Sequence, residues 1–138
     1  MKAHLTRRYW FAASHRLHSD KLTEEENRAV YGKCNNPFGH GHNYALEVTV
    51  SGPVDAATGF AANLVEIDRV VRERVLEQFD HQNLNCGAEF REIVPTTENL
   101  CIAIYEILKR TLGTGHLEKV RLEETSQNSF EVLSEDRG

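Results

Sequence analysis

A short segment rich in cysteine and histidine, leading into a patterned strand, constrains this chain more than any other feature. Residues 31–44 read Tyr-Gly-Lys-Cys-Asn-Asn-Pro-Phe-Gly-His-Gly-His-Asn-Tyr. The segment places the Cys34 thiol and the imidazoles of His40 and His42 within nine residues. Its glycines and its proline favour a compact turn before the strand begins. Such a concentration of metal-ligating and nucleophilic groups predicts a functional site.

The strand that follows shows period-two alternation. One face carries the even positions His40, His42, Tyr44, Leu46, Val48 and Val50. If the extended conformation reaches back to His40, both imidazoles project from the face that carries the core residues. Two histidines in this arrangement can bind one metal ion, with nitrogens about 2.0–2.1 Å from zinc. Two ordinary turn histidines would give the same pattern, so predicting a metal site here requires a third ligand elsewhere in the chain.

Composition indicates one ordinary domain over residues 1–138. The 138 residues are 40% hydrophobic and 27% charged, and a chain of this length buries roughly two-thirds of its unfolded surface. The net charge of −5 argues against a nucleic-acid-binding protein. The first residues lack the apolar core of a signal peptide and no segment has the length of a membrane span, so we expect a cytoplasmic protein without membrane contacts. Three cysteines without framework spacing do not imply disulfides.

Hydrophobic periodicity predicts the order strand, strand, helix, helix, strand, strand. The predicted strands cover residues 3–15, 40–51, 119–124 and 129–133, and the predicted helices cover residues 64–79 and 96–112. Residues 16–30 predict a polar connection with about one helical turn. This order indicates an α+β fold in which an antiparallel four-stranded sheet carries two helices on one face. The sheet edges require covering, and oligomerisation is one way to provide it.

Four further residues are candidate site residues. His15 ends the first strand on the same parity as Tyr9 and Phe11, so it becomes a third metal ligand if this strand pairs with the second. Glu124 lies on the apolar face of its strand, where a carboxylate is costly unless it is paired. A frayed strand end with Glu124 in solvent remains the alternative. The adjacent Asp80 and His81 follow a predicted helix, where such a pair is usually a polar terminus.

These positions fall in blocks through which the chain closely resembles the 6-pyruvoyl-tetrahydropterin synthase family. The resemblance runs from about His4 to Leu133. The matching blocks, in family order and at family spacing, are residues 11–17, 32–44, 80–84, 96–99 and 124–125. Because several separated blocks match together, the resemblance is specific.

The resemblance implies a tunnelling fold (T-fold), in which subunits join edge to edge into trimeric barrels that stack as a dimer of trimers into a hexamer. It implies active sites at subunit boundaries. By resemblance, the site residues are the zinc ligands His15, His40 and His42; the catalytic thiol Cys34 with its partners Asp80 and His81; the pterin-anchoring acid Glu124, which is grouped with the catalytic relay; and the pterin-contacting Thr96, Thr97 and Glu98.

The activity implied by the resemblance is a zinc-dependent elimination of triphosphate. The family's substrate is 7,8-dihydroneopterin triphosphate, and its product is 6-pyruvoyl-tetrahydropterin, an intermediate of tetrahydrobiopterin biosynthesis. Side-chain oxidation is balanced by reduction of the ring, so no external redox cofactor is expected. Zinc is the one cofactor implied.

Two alternatives remain open. The related 6-carboxytetrahydropterin synthase of queuosine biosynthesis uses the same substrate and zinc site but releases acetaldehyde. Those enzymes typically have three residues between the cysteine and the His-Gly-His, whereas five separate Cys34 from His40 here, which favours the pyruvoyl product. The second alternative is a structural zinc protein in which Cys34 is a fourth ligand in a closed site.

Overall fold

The fold is built on one pair of long antiparallel strands. A computed structural model describes residues 1–136. Strand β1 (Lys2–His15) pairs with strand β2 (His40–Pro53) along their full length, from Lys2 opposite Pro53 to His15 opposite His40. Because directly opposed residues share a face of the sheet, this pairing decides which side chains meet.

The other elements complete a five-stranded sheet in the order β3-β1-β2-β4-β5. Besides β1 and β2, the main helices and strands are, in chain order, helix α1 (Glu24–Tyr31), helix α2 (residues 64–79), strand β3 (Gln82–Asn83), helix α3 (Thr97–Thr111), strand β4 (His116–Thr125) and strand β5 (Asn128–Leu133). Strands β2, β4 and β5 pair antiparallel, as predicted.

The prediction of a purely antiparallel four-stranded sheet is wrong in one respect. Strand β3 adds a fifth strand, and it pairs parallel to β1 at Ala13 and Ser14. Two hydrogen bonds bring it there: the Ala12 amide donates to Asp80 Oδ1 at 2.9 Å, and the His81 amide donates to the Ala12 carbonyl at 2.6 Å. A two-residue strand has no hydrophobic period, so the sequence gives no signal for it.

The prediction of about one helical turn within residues 16–30 underestimates α1, which has eight residues. A capping box begins this helix: the Glu26 amide donates to Thr23 Oγ1 at 3.1 Å, and the Thr23 amide donates to Glu26 Oε1 at 2.9 Å. The buried residue of α1 is Asn27, whose side-chain amide donates to the Ser19 carbonyl at 3.0 Å. Polar contacts therefore hold the helix, and it lacks the apolar stripe from which the sequence could have predicted its length.

The two longer helices are confirmed and pack on one face of the sheet. Helix α2 is α-helical over Leu64–Val71, widens into a π turn over Arg72–Leu76 and ends with Glu77–Phe79. Helix α3 begins after its N-cap Thr96. The core between these helices and the sheet contains Tyr44, Leu46, Val48, Val50, Ile67, Val71, Leu100, Ile104, Leu108 and Leu122. Among residues 1–136, no helix combines the length and apolar character needed to cross a lipid bilayer.

One charged residue stands on the core-facing side of β1 and is neutralised there. Arg7 forms a two-point contact with Asp68 of α2, with Nη2 at 2.7 Å and Nε at 3.1 Å from the carboxylate oxygens. The Tyr9 hydroxyl donates to the same carboxylate at 2.6 Å. The Arg7 guanidinium holds the pKa of Asp68 below its usual range, so the carboxylate stays charged in the fold.

This contact gives the fold a dependence on pH. Because the pKa of Asp68 is depressed, its stabilising contribution is present above the ordinary carboxyl pKa and is lost as the pH falls through the native value. We expect Asp68→Asn to lower the urea midpoint at pH 7, with the deficit shrinking towards about pH 3. Glu73→Gln, which breaks the exposed 3.2 Å pair with Arg69, is the control and should change the midpoint little. An equal deficit for Asp68→Asn at both pH values would contradict this account.

Candidate active site

Four potential metal-binding side chains converge where β1 ends beside β2. The ligand atoms of His15, Cys34, His40 and His42 all lie within 4.8 Å of one another. The Nε2 atoms of His15 and His42 are 3.2 Å apart, and His40 Nε2 lies 2.9 Å from Cys34 Sγ. Imidazole nitrogen and thiolate sulfur are the donors that zinc prefers. The donor set therefore fits a zinc ion.

The ring of His15 is fixed in the orientation that a metal ligand needs. Its side chain is buried, and Nδ1 lies 2.9 Å from the Pro95 carbonyl oxygen. Because a carbonyl can only accept, Nδ1 carries the proton and Nε2 presents its lone pair to the cluster. Burial, followed by the neighbouring His42, lowers the pKa of His15. Burial also lowers the pKa of His42, so both rings favour the neutral form that binds metals.

The main chain holds Cys34 against the end of β1. Cys34 lies in a 3-10 turn over Gly32–Asn35. The Leu17 amide donates to the Cys34 carbonyl at 2.6 Å, and the side-chain amide of Asn35 donates to the Leu17 carbonyl at 2.8 Å. These bonds tie the turn to the residues that follow His15 and bring the thiol to the histidines.

A close backbone contact explains the glycine before His40. Gly39 has φ +70°, in the left-handed region. A Cβ built at this position would lie 2.7 Å from the His15 carbonyl oxygen. Any side chain would therefore push the turn away from β1 and separate His40 from His15.

The surroundings of Cys34 favour the neutral thiol when no cation is present. Burial raises the pKa of Cys34, and the negative charge of Glu124 raises it further. A thiolate at neutral pH consequently requires a nearby positive charge. A divalent cation bound to the three histidines would provide that charge.

Glu124 has the partner that its place on an apolar strand face requires. The Thr97 hydroxyl, at the start of α3, donates to Glu124 Oε2. The same carboxylate oxygen lies 4.0 Å from His42 Nε2, and the Glu124 side chain is 15% exposed. The candidate acid is therefore next to the histidine cluster, and the alternative of a frayed end in solvent is wrong.

The other two residues predicted at the start of α3 are placed differently from Thr97. The Thr96 hydroxyl accepts a hydrogen bond from the Asn99 amide at 3.2 Å and so caps the helix. Glu98 is exposed in the first turn. Of this trio, the structure brings Thr97 into direct contact with Glu124.

Asp80 and His81 form a pair at the edge of the sheet, outside the four-residue cluster. His81 Nδ1 lies 3.0 Å from Asp80 Oδ1, and the His81 side chain is 81% exposed. His81 has φ +60°. Its side chain borders a cavity of about 500 Å³ that is lined also by Ala12, Ser14 and Asn43. These three residues lie on strand positions of opposite parity to His15 and His42, but His42 of the cluster also lines the cavity.

Sequence patterns missed two contributors to the site. The Pro95 carbonyl orients His15, and no side-chain pattern reports a backbone acceptor. The Tyr44 side chain is completely buried close to Glu124 and Thr97, and burial followed by the charge of Glu124 raises the pKa of Tyr44. The alternation of β2 could have identified Tyr44, because it lies on the same strand face as His40 and His42.

The chain is similar to known proteins over nearly its whole length. A family model described as 6-pyruvoyl tetrahydropterin synthase matches residues 4–135. Human 6-pyruvoyl tetrahydrobiopterin synthase is 44% identical over 128 residues, which cover 92% of this chain and 88% of that protein. The Dictyostelium discoideum protein of the same name is 46% identical over 125 residues, covering 90% of each.

Solved structures agree with the sequence comparisons. The Caenorhabditis elegans 6-pyruvoyl tetrahydropterin synthase superposes with a TM-score of 0.92 at 38% identity, over 97% of this chain and 96% of that one. The Plasmodium falciparum 6-pyruvoyl tetrahydropterin synthase shares the fold, with a TM-score of 0.67 at 14% identity over 95% and 96% of the two chains. With the family model covering almost all of the sequence, this chain belongs to the 6-pyruvoyl tetrahydropterin synthase family.

Proposed function

We propose that this chain is a zinc-dependent lyase that converts 7,8-dihydroneopterin triphosphate into 6-pyruvoyl-tetrahydropterin and triphosphate. The observation that carries the proposal is the convergence of three imidazoles and one thiol in a member of this family. An elimination of this kind needs a base close to an electrophilic centre. Cys34 offers the base, and a zinc ion held by the three histidines would supply the electrophilic centre beside it.

His15, His40 and His42 are proposed as the zinc ligands. Three protein ligands leave one position of a tetrahedral zinc free, and bound zinc would act as a Lewis acid towards an oxygen of the substrate side chain. The hydrogen bond between His15 and the Pro95 carbonyl is the outer-shell contact expected for a ligating imidazole. Because the pKa values of His15 and His42 are lowered, both imidazoles favour the neutral form, and metal binding does not have to displace protons from them.

Cys34 is proposed as the base that removes a carbon-bound proton from the substrate side chain. Its sulfur lies 2.9 Å from His40 Nε2, beside the proposed ligands. Burial and the charge of Glu124 raise the pKa of the Cys34 thiol and so favour its neutral form. A cation on the histidine cluster would stabilise the thiolate and make Cys34 a competent base. Proton removal is thereby coupled to occupancy of the metal site.

Glu124 is proposed to anchor the pterin ring. The guanidine-like edge of a pterin presents neighbouring N–H donors, which a carboxylate can accept with both oxygens. The Thr97 hydroxyl donates to one of these oxygens and fixes the carboxylate plane. Thr96 and Glu98 are proposed to contact the same ring from the start of α3. Fixing the ring would hold the reacting carbon atoms near Cys34.

Asp80 and His81 are proposed to act on the thiol of a neighbouring subunit. The pair is held to β1 through Ala12 while the His81 imidazole remains 81% exposed. An ordered, exposed imidazole beside a carboxylate is suited to proton transfer with a group supplied by another chain. Asp80 would orient the His81 ring through the 3.0 Å contact between Asp80 Oδ1 and His81 Nδ1.

The sheet edges support assembly through strand pairing. Strand β3 covers β1 at Ala13 and Ser14, which leaves most of the β1 edge available, and β5 forms the opposite edge. Edges of this length invite pairing with another copy. We propose trimers closed edge to edge that stack into a hexamer. The proposed location is the cytoplasm, consistent with three free cysteines.

Two other functions make distinct predictions. A 6-carboxytetrahydropterin synthase would use the same substrate and site, but the spacing between Cys34 and His40 and the human and Dictyostelium relatives favour the pyruvoyl product. A structural zinc protein is favoured by one observation, the inclusion of Cys34 among the four possible ligands. That function would give Glu124, Asp80 and His81 no role.

Incubation of the zinc-loaded protein with 7,8-dihydroneopterin triphosphate, without reductant, is expected to yield 6-pyruvoyl-tetrahydropterin, identified by mass spectrometry. Cys34→Ala should lower the rate about 100- to 10,000-fold, the usual range for loss of a general base, while the zinc content is unchanged. Cys86→Ser, at an exposed cysteine, is the matched control. A 6-carboxy product with acetaldehyde would assign the chain to the queuosine branch, and absence of turnover would contradict both lyase functions.

Alkylation distinguishes a catalytic thiol from a structural ligand. In a Cys86→Ser background we expect iodoacetamide to modify Cys34 in the zinc-loaded protein, because three histidine ligands leave the thiol free to react. Buried Cys101 should remain unmodified and serves as the internal control. Complete protection of Cys34 by zinc, reversed by a chelator, would instead support a closed site with four protein ligands.

Mixing two inactive variants tests whether Cys34 and His81 come from different subunits. Cys34→Ala and His81→Ala should each have little activity alone. Co-assembly of equal amounts should restore about a quarter of the sites if each site combines Cys34 of one chain with His81 of another. Two Cys34→Ala preparations carrying different affinity tags form the matched negative control. No recovery in verified mixed oligomers would place both residues in one chain.

A further inference from the structure

A cavity outside the four-residue cluster of the active site collects positively charged side chains. It has a volume of about 350 Å³, and Arg16, Arg28 and Lys33 contribute to its lining. Ligand pockets usually measure roughly 300–1,000 Å³. The lining contains one acidic residue, Glu24, so three positive charges and one negative charge give it a net charge of +2. Since the whole chain carries −5, this basic cavity departs from the overall charge and suits an anion.

The three cationic side chains of the basic cavity have no carboxylate partner. Within residues 1–136, none of them forms an ion pair with a carboxylate oxygen at 4.0 Å or less. By contrast, the arginines at positions 7, 8, 69 and 121 each have a carboxylate oxygen at 3.2 Å or less. Like charges that share a cavity repel one another, and a bound anion would replace this repulsion with attraction.

Hydrogen bonds fix the wall of the basic cavity at Arg16. The Arg16 amide donates to Asn85 Oδ1 at 2.6 Å, and the Asn85 side-chain amide donates to the Arg16 carbonyl at 2.8 Å. Arg16 Nε donates to the carbonyl of buried Asn35 at 3.2 Å. This bond uses one of the five N–H groups of the guanidinium, so the Nη groups are left for a ligand.

The wall of the basic cavity is continuous with the active site. Arg16 directly follows His15, and Lys33 and Asn35 flank Cys34 in the 3-10 turn. Neighbouring Cα atoms are about 3.8 Å apart. The residues next to one proposed zinc ligand and next to the proposed base therefore line the cavity.

A buried polar atom without a partner belongs to the same cavity. His18 contributes to the lining, and its Nδ1 is buried with no hydrogen-bond partner among the described residues. The other ring nitrogen, Nε2, lies 3.3 Å from Asp20 Oδ1. Buried polar atoms are almost always paired, so an unpaired one needs an explanation such as a ligand. With both nitrogens protonated, the His18 ring would donate to Asp20 and to a bound anion.

We propose that the basic cavity binds the triphosphate group of the substrate, with Arg16, Arg28 and Lys33 as its cationic contacts. The proposal rests on the proposed lyase function. Arginine binds phosphate oxygens with two parallel hydrogen bonds, and lysine binds them as a point charge. The triphosphate is carried on the terminal carbon of the substrate side chain, at the opposite end from the pterin ring. A ring held at Glu124 and a triphosphate held in the basic cavity would place the side chain between them at the histidine cluster.

Paired binding measurements test the triphosphate site. Isothermal titration calorimetry would give the Kd of 7,8-dihydroneopterin triphosphate and of unphosphorylated 7,8-dihydroneopterin for zinc-loaded protein in a Cys34→Ala background, which prevents turnover. We expect Arg28→Gln and Lys33→Gln each to raise the Kd of the triphosphate about tenfold, as for loss of one charge-assisted hydrogen bond. The Kd of 7,8-dihydroneopterin should stay the same. Arg16 is left intact because its Nε supports the turn that carries Cys34.

Two further variants control for charge and for position. Lys33→Arg keeps the positive charge and should retain triphosphate binding. Arg74→Gln removes an exposed arginine of α2 that does not line the basic cavity, and it should change neither Kd. Circular dichroism and zinc content would verify that each variant is folded and loaded.

The outcomes separate this proposal from the lyase function. An unchanged triphosphate Kd in both Arg28→Gln and Lys33→Gln would overturn the triphosphate site and leave the lyase function standing. An equal rise in Kd for both ligands would also overturn it, because the substitutions would then act on pterin binding rather than on the triphosphate. Failure of the parent to bind either ligand would contradict the lyase function itself, and the triphosphate site with it.

Discussion

The register between β1 and β2 is the constraint on which the active site depends. The two strands pair without interruption from Lys2–Pro53 to His15–His40. Because side chains alternate between faces, a slip of one residue in β2 would send His42 to the face opposite His15. The same slip would turn Tyr44 and Leu46 out of the core. Burial of apolar side chains along the strands therefore fixes the positions of the histidines at their end, and these histidines need no register device of their own.

Sequence patterns predicted the parts of the site that lie on regular strands. The alternation in β2 correctly put His40 and His42 on the core face, and the parity of β1 correctly added His15. Glu124 was expected to need a partner on its apolar strand face, and the structure supplies one in the Thr97 hydroxyl. Thr97 lies 27 residues away, and no local pattern identified it as the donor. Regular periodicity is readable because the side-chain direction follows from position alone.

Elements fixed by long-range or polar contacts were less predictable. Strand β3 forms because Asp80 and His81 bond to Ala12, a contact between residues 68 positions apart that leaves no trace in the local hydrophobic pattern. Helix α1 depends on a capping box and on the buried Asn27 rather than on an apolar stripe. The direction of the His81 side chain follows from a left-handed backbone conformation, which is unusual outside glycine. Motif resemblance identified Asp80 and His81 as residues of interest, whereas their place at the sheet edge required the structure.

The contact between Gly39 and the His15 carbonyl has a consequence for how the family tolerates variation. Gly39 contributes no functional group, yet any side chain there meets main chain rather than a movable side-chain end. A replacement must therefore deform the backbone of β1 or the turn, and neighbouring substitutions offer little means of compensation. In a saturation survey of this gene, position 39 should be as intolerant as the histidines themselves, and it would be mistaken for a catalytic residue by a method that ranks positions only by their mutational cost.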